Sequence, residues 1–190
     1  MPLTAAILFA LAVVLVVVLF LVVTTYNDVV ALRNRITKAW ANVDVALKQR
    51  HDELPSLVDA VRGVMSFERG VLAEVTQRRA AYSDRDPIPQ QAATSEATTD
   101  AVRQLFAVVE RYPEVKSAAN VASLQEEITR LEDVIADRRE LYNDQAYRYN
   151  TRIAQLPASL LAGIAGWTPR PFFAADAAAQ ARPDVEMRAG

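Results

Sequence analysis

The sequence predicts an all-α protein with an N-terminal transmembrane helix, and three observations indicate this fold class. The stretch from Leu3 to Val23 has 21 residues and no charged side chain. Between Tyr26 and Leu156 the chain holds only two glycines and is rich in Ala, Leu, Glu and Arg, which favour helices. No run of alternating β-branched residues between turn signals indicates a strand.

The segment from Leu3 to Val23 has the length of a membrane span. A helix of this length is about 31 Å long, close to the thickness of the hydrocarbon core of a bilayer. The alternative, a cleaved signal peptide, needs a basic N-terminal region and a small-residue cleavage site. Only Met1 and Pro2 precede the segment, and bulky residues follow it. Residues 1–25 are therefore predicted to be a membrane anchor, with the lipid bilayer as partner.

The charges that flank the span predict its orientation. Arg33, Arg35 and Lys38 follow it within about 20 residues, the distance over which flanking charge sets topology, whereas the N-terminal flank has only the α-amino group. By the positive-inside rule we expect a single-pass protein of the bacterial cell membrane. We expect its domain to lie in the cytoplasm and its N-terminus outside.

The composition argues against several classes of function. The chain has no cysteine, a single histidine (His51) and a formal net charge of −2. Thiol chemistry and Cys-ligated metals are thus excluded, and the scattered basic residues speak against a nucleic-acid partner. No phosphate-binding loop, nucleophile elbow or zinc-protease motif is present. We expect no enzymatic activity, no metal and no cofactor.

Apolar residues recur at steps of three and four, which predicts helices at about 26–51, 55–82, 99–112 and 120–156. Pro55 permits either a tight reversal or one long kinked helix, and the reversal is favoured. The polar stretch from Ser83 to Thr99 contains two prolines and is predicted to be the principal loop. The third helix is expected to end before Pro113, and Ser123 begins a capping box for the fourth.

Two charged residues interrupt otherwise apolar helical stripes. Glu68 occupies a core-facing position of the second helix, and Arg138 or Arg139 occupies one of the last helix. An ion pair between these helices would explain both, and breaking such a buried pair costs about 3–5 kcal/mol. The alternative is that both are solvated charges at the edges of the stripes.

The C-terminal part divides into two segments. Residues 157–173 are apolar, and in an up-and-down arrangement they return to the membrane surface, where Trp167, Phe172 and Phe173 are candidate interface contacts. Alternatively, this segment folds over the open end of the helices. Residues 174–190 are rich in alanine and are predicted to be a disordered tail.

Two segments carry a family resemblance. YNDVVALRNRITKAWANVDVALKQR resembles the N-terminal signature of the LemA family, and ERYPEVKSAANVASLQEE and LYNDQAYRYN carry its Tyr-Pro, Leu-Gln and paired Tyr-Asn motifs. The resemblance implies a bacterial membrane-anchored antiparallel four-helix bundle, favours the reversal at Pro55, and makes Arg139 the preferred partner of Glu68. The family usually has histidine before this glutamate, where Phe67 stands here. A magnetosome-membrane member of the family points to membrane organisation.

These features predict a membrane-anchored helical scaffold or interaction protein with an unidentified protein partner, and self-association is possible. The alternative is a protein that organises the membrane surface through the segment from Leu156 to Phe173. An enzyme with an unrecognised site is the least favoured class.

Overall fold

The computed structural model describes residues 2–62, 68–116 and 118–174, and within these ranges the chain forms six helices and no strand. The helices are α1 (Pro2–Arg62), α2 (Arg69–Ala80), α3 (Ile88–Val109), α4 (Pro113–Lys116), α5 (Ala119–Ala154) and α6 (Ala158–Ala165). The predicted all-α class is confirmed. The predicted disordered tail lies, from residue 175 onward, outside the described residues.

The chain divides into two compact units. The first unit comprises Met1–Ala39 and Asp144–Arg170, and the second comprises Trp40–Asn143 and Pro171–Gly190. Helices α1 and α5 each contribute residues to both units.

In the first unit, the N-terminal part of α1 is apolar on all sides. Its large apolar side chains at residues 3–23 are exposed, including Phe9 at 73%. Among the described residues α1 is the one helix long and apolar enough to cross a membrane. A helix with no polar face is typical of a lipid environment. This part of α1 therefore matches the predicted span and indicates that the protein associates with a membrane.

Helix α1 continues through Pro55 and ends at Arg62, so the predicted break and reversal at Pro55 are wrong. Proline lacks the amide that would donate to the carbonyl oxygen four residues earlier, on His51. Here the Arg79 Nε donates to that oxygen instead, at 2.9 Å. Arg79 belongs to α2, and Tyr82, just after this helix, donates to Asp44 of α1. The later of these two residues thus contacts the earlier part of α1. Helix α2 is therefore antiparallel to α1.

Helix α3 begins at Ile88, so most of the predicted loop from Ser83 to Thr99 is helical. Pro87 is the N-cap residue and Pro89 lies in the first turn, where a missing amide costs no helical hydrogen bond. The polar residues Gln91, Ser95 and Thr98 are buried along one face of this helix. Their spacing is helical, but their polarity suggested a loop.

The core of the second unit draws residues from α1, α2, α3 and α5, with one residue from α4. Fully buried examples are Leu57 of α1, Val75 of α2, Leu105 of α3 and Ile128 of α5. Packing of four helices around one core is compatible with the antiparallel four-helix bundle that the resemblance implies. Helix α5 spans nearly the predicted range, and α6 lies within the predicted apolar C-terminal segment.

Candidate functional site

The structure does not bring Glu68 and Arg139 together. Glu68 is the N-cap residue of α2, and its Oε1 lies 3.5 Å from Arg111 and accepts a hydrogen bond from the Tyr112 hydroxyl at 3.3 Å. Arg139 is exposed on α5. The proposed pair assumed one unbroken helix over 55–82, whereas α1 ends at Arg62 and α2 begins at Arg69. Glu68 therefore does not continue the stripe of α1.

The second unit instead contains a buried ion pair that the sequence did not reveal. The side chain of Arg50 is 4% exposed, and its Nη1 lies 2.8 Å from Glu132 Oε1 on α5. Arg50 also donates to the hydroxyls of Thr99 and Ser95, both at 2.9 Å. Thr99 in turn donates to Glu132 at 2.7 Å. This network, which we call the Arg50 network, joins α1, α3 and α5.

The spacing of residues could have indicated the Arg50 network. Arg50 follows Leu47 by three positions and precedes Leu54 by four, so it continues the buried stripe of α1 once the helix runs through Pro55. Ser95 lies on the equivalent buried stripe of α3. Both signals were hidden because Pro55 suggested a break and the polar residues suggested a loop.

Beside the Arg50 network, the His51 ring lies against Tyr82, with ring centroids 5.3 Å apart. Burial and the neighbouring Arg79 cation lower the pKa of His51 from its ordinary value. Burial and Asp44 raise the pKa of the Tyr82 hydroxyl, which donates to Asp44 Oδ1 at 3.2 Å. At neutral pH the site therefore holds a neutral imidazole and a neutral phenol.

A groove of about 760 Å³ runs between α3 and α5 in the second unit. Val102, Phe106 and Ile135 supply apolar lining, and charged residues that include Arg139 and Glu140 line it as well. The described residues contain no group of three or more His, Cys, Asp or Glu side chains placed to hold a metal ion.

The three candidate membrane contacts have different environments. In the first unit the Trp167 ring lies 5.8 Å from that of Tyr26 and is half-buried. Phe172 is also half-buried. In the second unit Phe173 is 1% exposed and packs 5.9 Å from Trp40. Phe173 is therefore a core residue, and its assignment as a membrane contact is wrong because this part of the chain folds back onto α1 and α5.

The asparagines of the Tyr-Asn motifs bind backbone. In the second unit Asn143 Oδ1 accepts from the Phe173 amide at 2.8 Å, and its Nδ2 donates to the Phe173 carbonyl at 3.2 Å. In the first unit Asn150 makes the same two contacts with Arg170, at 2.8 and 2.9 Å. Each asparagine side chain thus bonds both the amide and the carbonyl of one residue near the end of the described chain. A neighbouring backbone in a β-sheet makes the same pair of hydrogen bonds.

The tyrosine of each motif is buried beside its asparagine. The hydroxyl of Tyr142 donates to the Pro171 carbonyl at 2.7 Å, and Tyr149 is 2% exposed. The motifs therefore attach the end of the described chain to α5.

Comparison with known proteins places these features in a family. The model of the LemA family matches residues 39–187. Protein LemA of Metamycoplasma hominis is 27% identical over 135 residues, which are 70% of this chain and 62% of that protein. Magnetosome protein MamQ 2 of Paramagnetospirillum magneticum is 38% identical over 74 residues, 39% of this chain and 27% of that protein. Magnetosome protein MamQ of Magnetospirillum gryphiswaldense is 36% identical over 74 residues, with the same two coverages.

This chain therefore spans about a quarter of the length of the magnetosome relatives that it matches. The family model covers far more of the chain, including the Arg50 network, the α3–α5 groove and the backbone contacts of Asn143 and Asn150. With well over half of its residues matched, the chain belongs to the LemA family.

Proposed function

We propose that this protein is a single-pass, membrane-anchored helical scaffold or interaction protein without catalytic activity. The observation that carries the proposal is the continuity of α1, which is one helix from the exposed apolar segment to the buried residues Leu57 and Val61. A partner bound by the helical domain would be tethered to the bilayer through this helix.

The α3–α5 groove is the surface we propose for a protein partner. Its apolar residues Val102, Phe106 and Ile135 offer surface that a partner can bury, and its charged residues can fix the orientation of that partner through ion pairs. The similarity to magnetosome proteins supports a role in organising membrane-bounded structures.

We also propose that the domain is cytoplasmic and the N-terminus outside. Arg33, Arg35 and Lys38 are exposed on α1 just beyond the apolar segment. Basic residues in this position favour retention on the cytoplasmic side.

A second candidate function, organisation of the membrane surface itself, is favoured by the exposed apolar side chains of the C-terminal segment. Leu160 and Ile164 of α6 are 70% and 88% exposed. Such side chains suit contact with lipid.

The scaffold proposal is tested by co-purification of the tagged full-length chain from detergent, with two matched variants. Ala136→Arg places a large cation in the groove, whereas Ala93→Arg makes the same change at an exposed alanine of α3 outside it. We expect a recurrent partner that Ala136→Arg loses and Ala93→Arg retains.

Two results would contradict the proposal: no protein above background, or equal recovery with both variants. Recovery of a second, differently tagged copy of the chain would identify the partner as the protein itself.

A further inference from the structure

Helix α6 exposes an apolar face. Leu160 and Ile164 lie four residues apart on one side of this helix and are 70% and 88% exposed. Leu156, just before the helix, is also apolar and 71% exposed. On the opposite side of the helix Ala158 is buried. The apolar face is therefore uncovered within the first unit.

Both flanks of α6 attach to the part of α1 that directly follows the apolar segment. Before α6, Arg152 lies 3.3 Å from Asp28, and after it the Trp167 ring contacts Tyr26. Tyr26 and Asp28 lie within two turns of Val23, which is about 5–8 Å along the helix axis. These attachments hold α6 at the level where α1 leaves the hydrocarbon core.

The charge of the first unit is opposite to that of the rest of the chain. Its residues include six Lys or Arg and two Asp or Glu, a formal charge of +4, whereas the remainder carries −6. Both acidic residues form ion pairs, Asp28 with Arg152 and Asp144 with Arg148. The unit therefore presents a net positive charge, which anionic lipid headgroups attract.

From these observations we infer that α6 lies in the headgroup region of the leaflet next to which α1 emerges and prefers anionic phospholipid. This inference rests on the proposed single-pass anchor. Leu160 and Ile164 face the acyl chains, and Trp167 with Tyr26 forms an aromatic pair at the interface. An eight-residue helix is too short to bind a membrane firmly alone, but the anchor keeps α6 at a high local concentration beside the surface.

The inference is tested with spin labels, because the chain has no cysteine and single-Cys variants label at one position. Full-length Ile164→Cys, Leu15→Cys and Val45→Cys are labelled and reconstituted in phosphatidylcholine vesicles with or without phosphatidylglycerol. Residues 15 and 45 are matched controls, exposed at 59% and 64%, in the apolar segment and in the second unit. Collision with oxygen reports contact with lipid, and collision with a water-soluble nickel chelate reports contact with water.

We expect the label at residue 164 to collide with oxygen and to be shielded from nickel, more strongly in vesicles that contain phosphatidylglycerol. The label at 15 should behave as lipid-embedded and the label at 45 as water-exposed. Access of nickel to residue 164 overturns the inference. Shielding from both oxygen and nickel also overturns it, because it would show that protein rather than lipid covers this face. Equal depth in both lipids overturns the anionic preference. A water-exposed label at residue 15 would instead refute the proposed anchor.

Discussion

At the residue scale, Arg50 shows how this domain accommodates a buried cation. Its Nη1 donates to the Thr99 hydroxyl of α3 and to the Glu132 carboxylate of α5. Its Nη2 donates to the hydroxyl and the carbonyl of Ser95 on α3. Burying an arginine is unfavourable without such partners. The fork geometry of the guanidinium also ties the register of three helices to one side chain.

Glu132→Ala should destabilise the protein by about 3 kcal/mol, because it leaves Arg50 buried without its countercharge. We expect the lower end of the range for buried pairs, since Ser95 and Thr99 still accept hydrogen bonds from Arg50. Urea unfolding in detergent, followed by circular dichroism, measures the loss. Asp100→Ala removes the exposed pair with Arg103 and should cost less than about 1 kcal/mol. Equal losses of unfolding free energy in the two variants would show that the buried Arg50–Glu132 pair contributes no more than an exposed ion pair.

His51 makes stability depend on pH. Burial and Arg79 lower its pKa in the folded state, so the unfolded chain, with a pKa near 6.5, takes up the proton first as the pH falls. The free energy of unfolding should therefore decrease from about pH 7 to about pH 5. His51→Phe keeps a ring against Tyr82 but cannot titrate, so the slope with pH should be smaller in this variant. Identical slopes in the two proteins would refute the role of His51.

At the scale of elements, α1 remains helical through a proline because α2 compensates for it. Pro55 leaves the His51 carbonyl without its helical donor, and Arg79 donates to that oxygen from the neighbouring helix. The compensation is a tertiary contact, and it also attaches α2 to α1 at this level.

This arrangement predicts a coupling between Pro55 and Arg79. Arg79→Met should destabilise the natural protein, because the His51 carbonyl then lacks a donor in a partly buried site. In a Pro55→Ala background the restored amide can donate, and the same substitution should cost about 1 kcal/mol less. A double-mutant cycle from urea unfolding measures the difference. A coupling energy of zero would mean that Arg79 stabilises the protein by other contacts.

At the scale of the whole molecule, the distribution of charge determines the expected topology. Arg33, Arg35 and Lys38 are exposed after the apolar segment, and the N-terminal flank has no basic side chain. By the positive-inside rule we therefore expect α1 to have its N-terminus outside, as proposed above.

The topology can be tested with single cysteines and a membrane-impermeant maleimide. Arg85 is exposed in the turn between α2 and α3, so Arg85→Cys should react only after spheroplasts are lysed. Pro2→Cys, at the opposite end of the span, should react in intact spheroplasts. The reverse pattern would place the domain outside the cell.

The sequence by itself determined the apolar helix, the all-α class and the extent of α5. These features depend on local physics: a helix satisfies its own backbone hydrogen bonds, and an apolar stripe at steps of three and four needs no knowledge of its partner. The resemblance through the Tyr-Asn and Tyr-Pro motifs was likewise readable from the chain, and the family match confirms it.

Only the tertiary structure decided the course of α1 at Pro55, the burial of the polar stripe in α3, the partner of Glu68 and the burial of Phe173. Each depends on a group supplied from elsewhere in the chain. Arg79 donates to the His51 carbonyl that Pro55 leaves without a helical donor, and Arg50 donates to the buried Ser95 hydroxyl. Arg111 and Tyr112 bind Glu68, and Asn143 binds the backbone of Phe173. A buried polar group is stable only when its partner is in place, and the partner is set by packing rather than by neighbouring sequence.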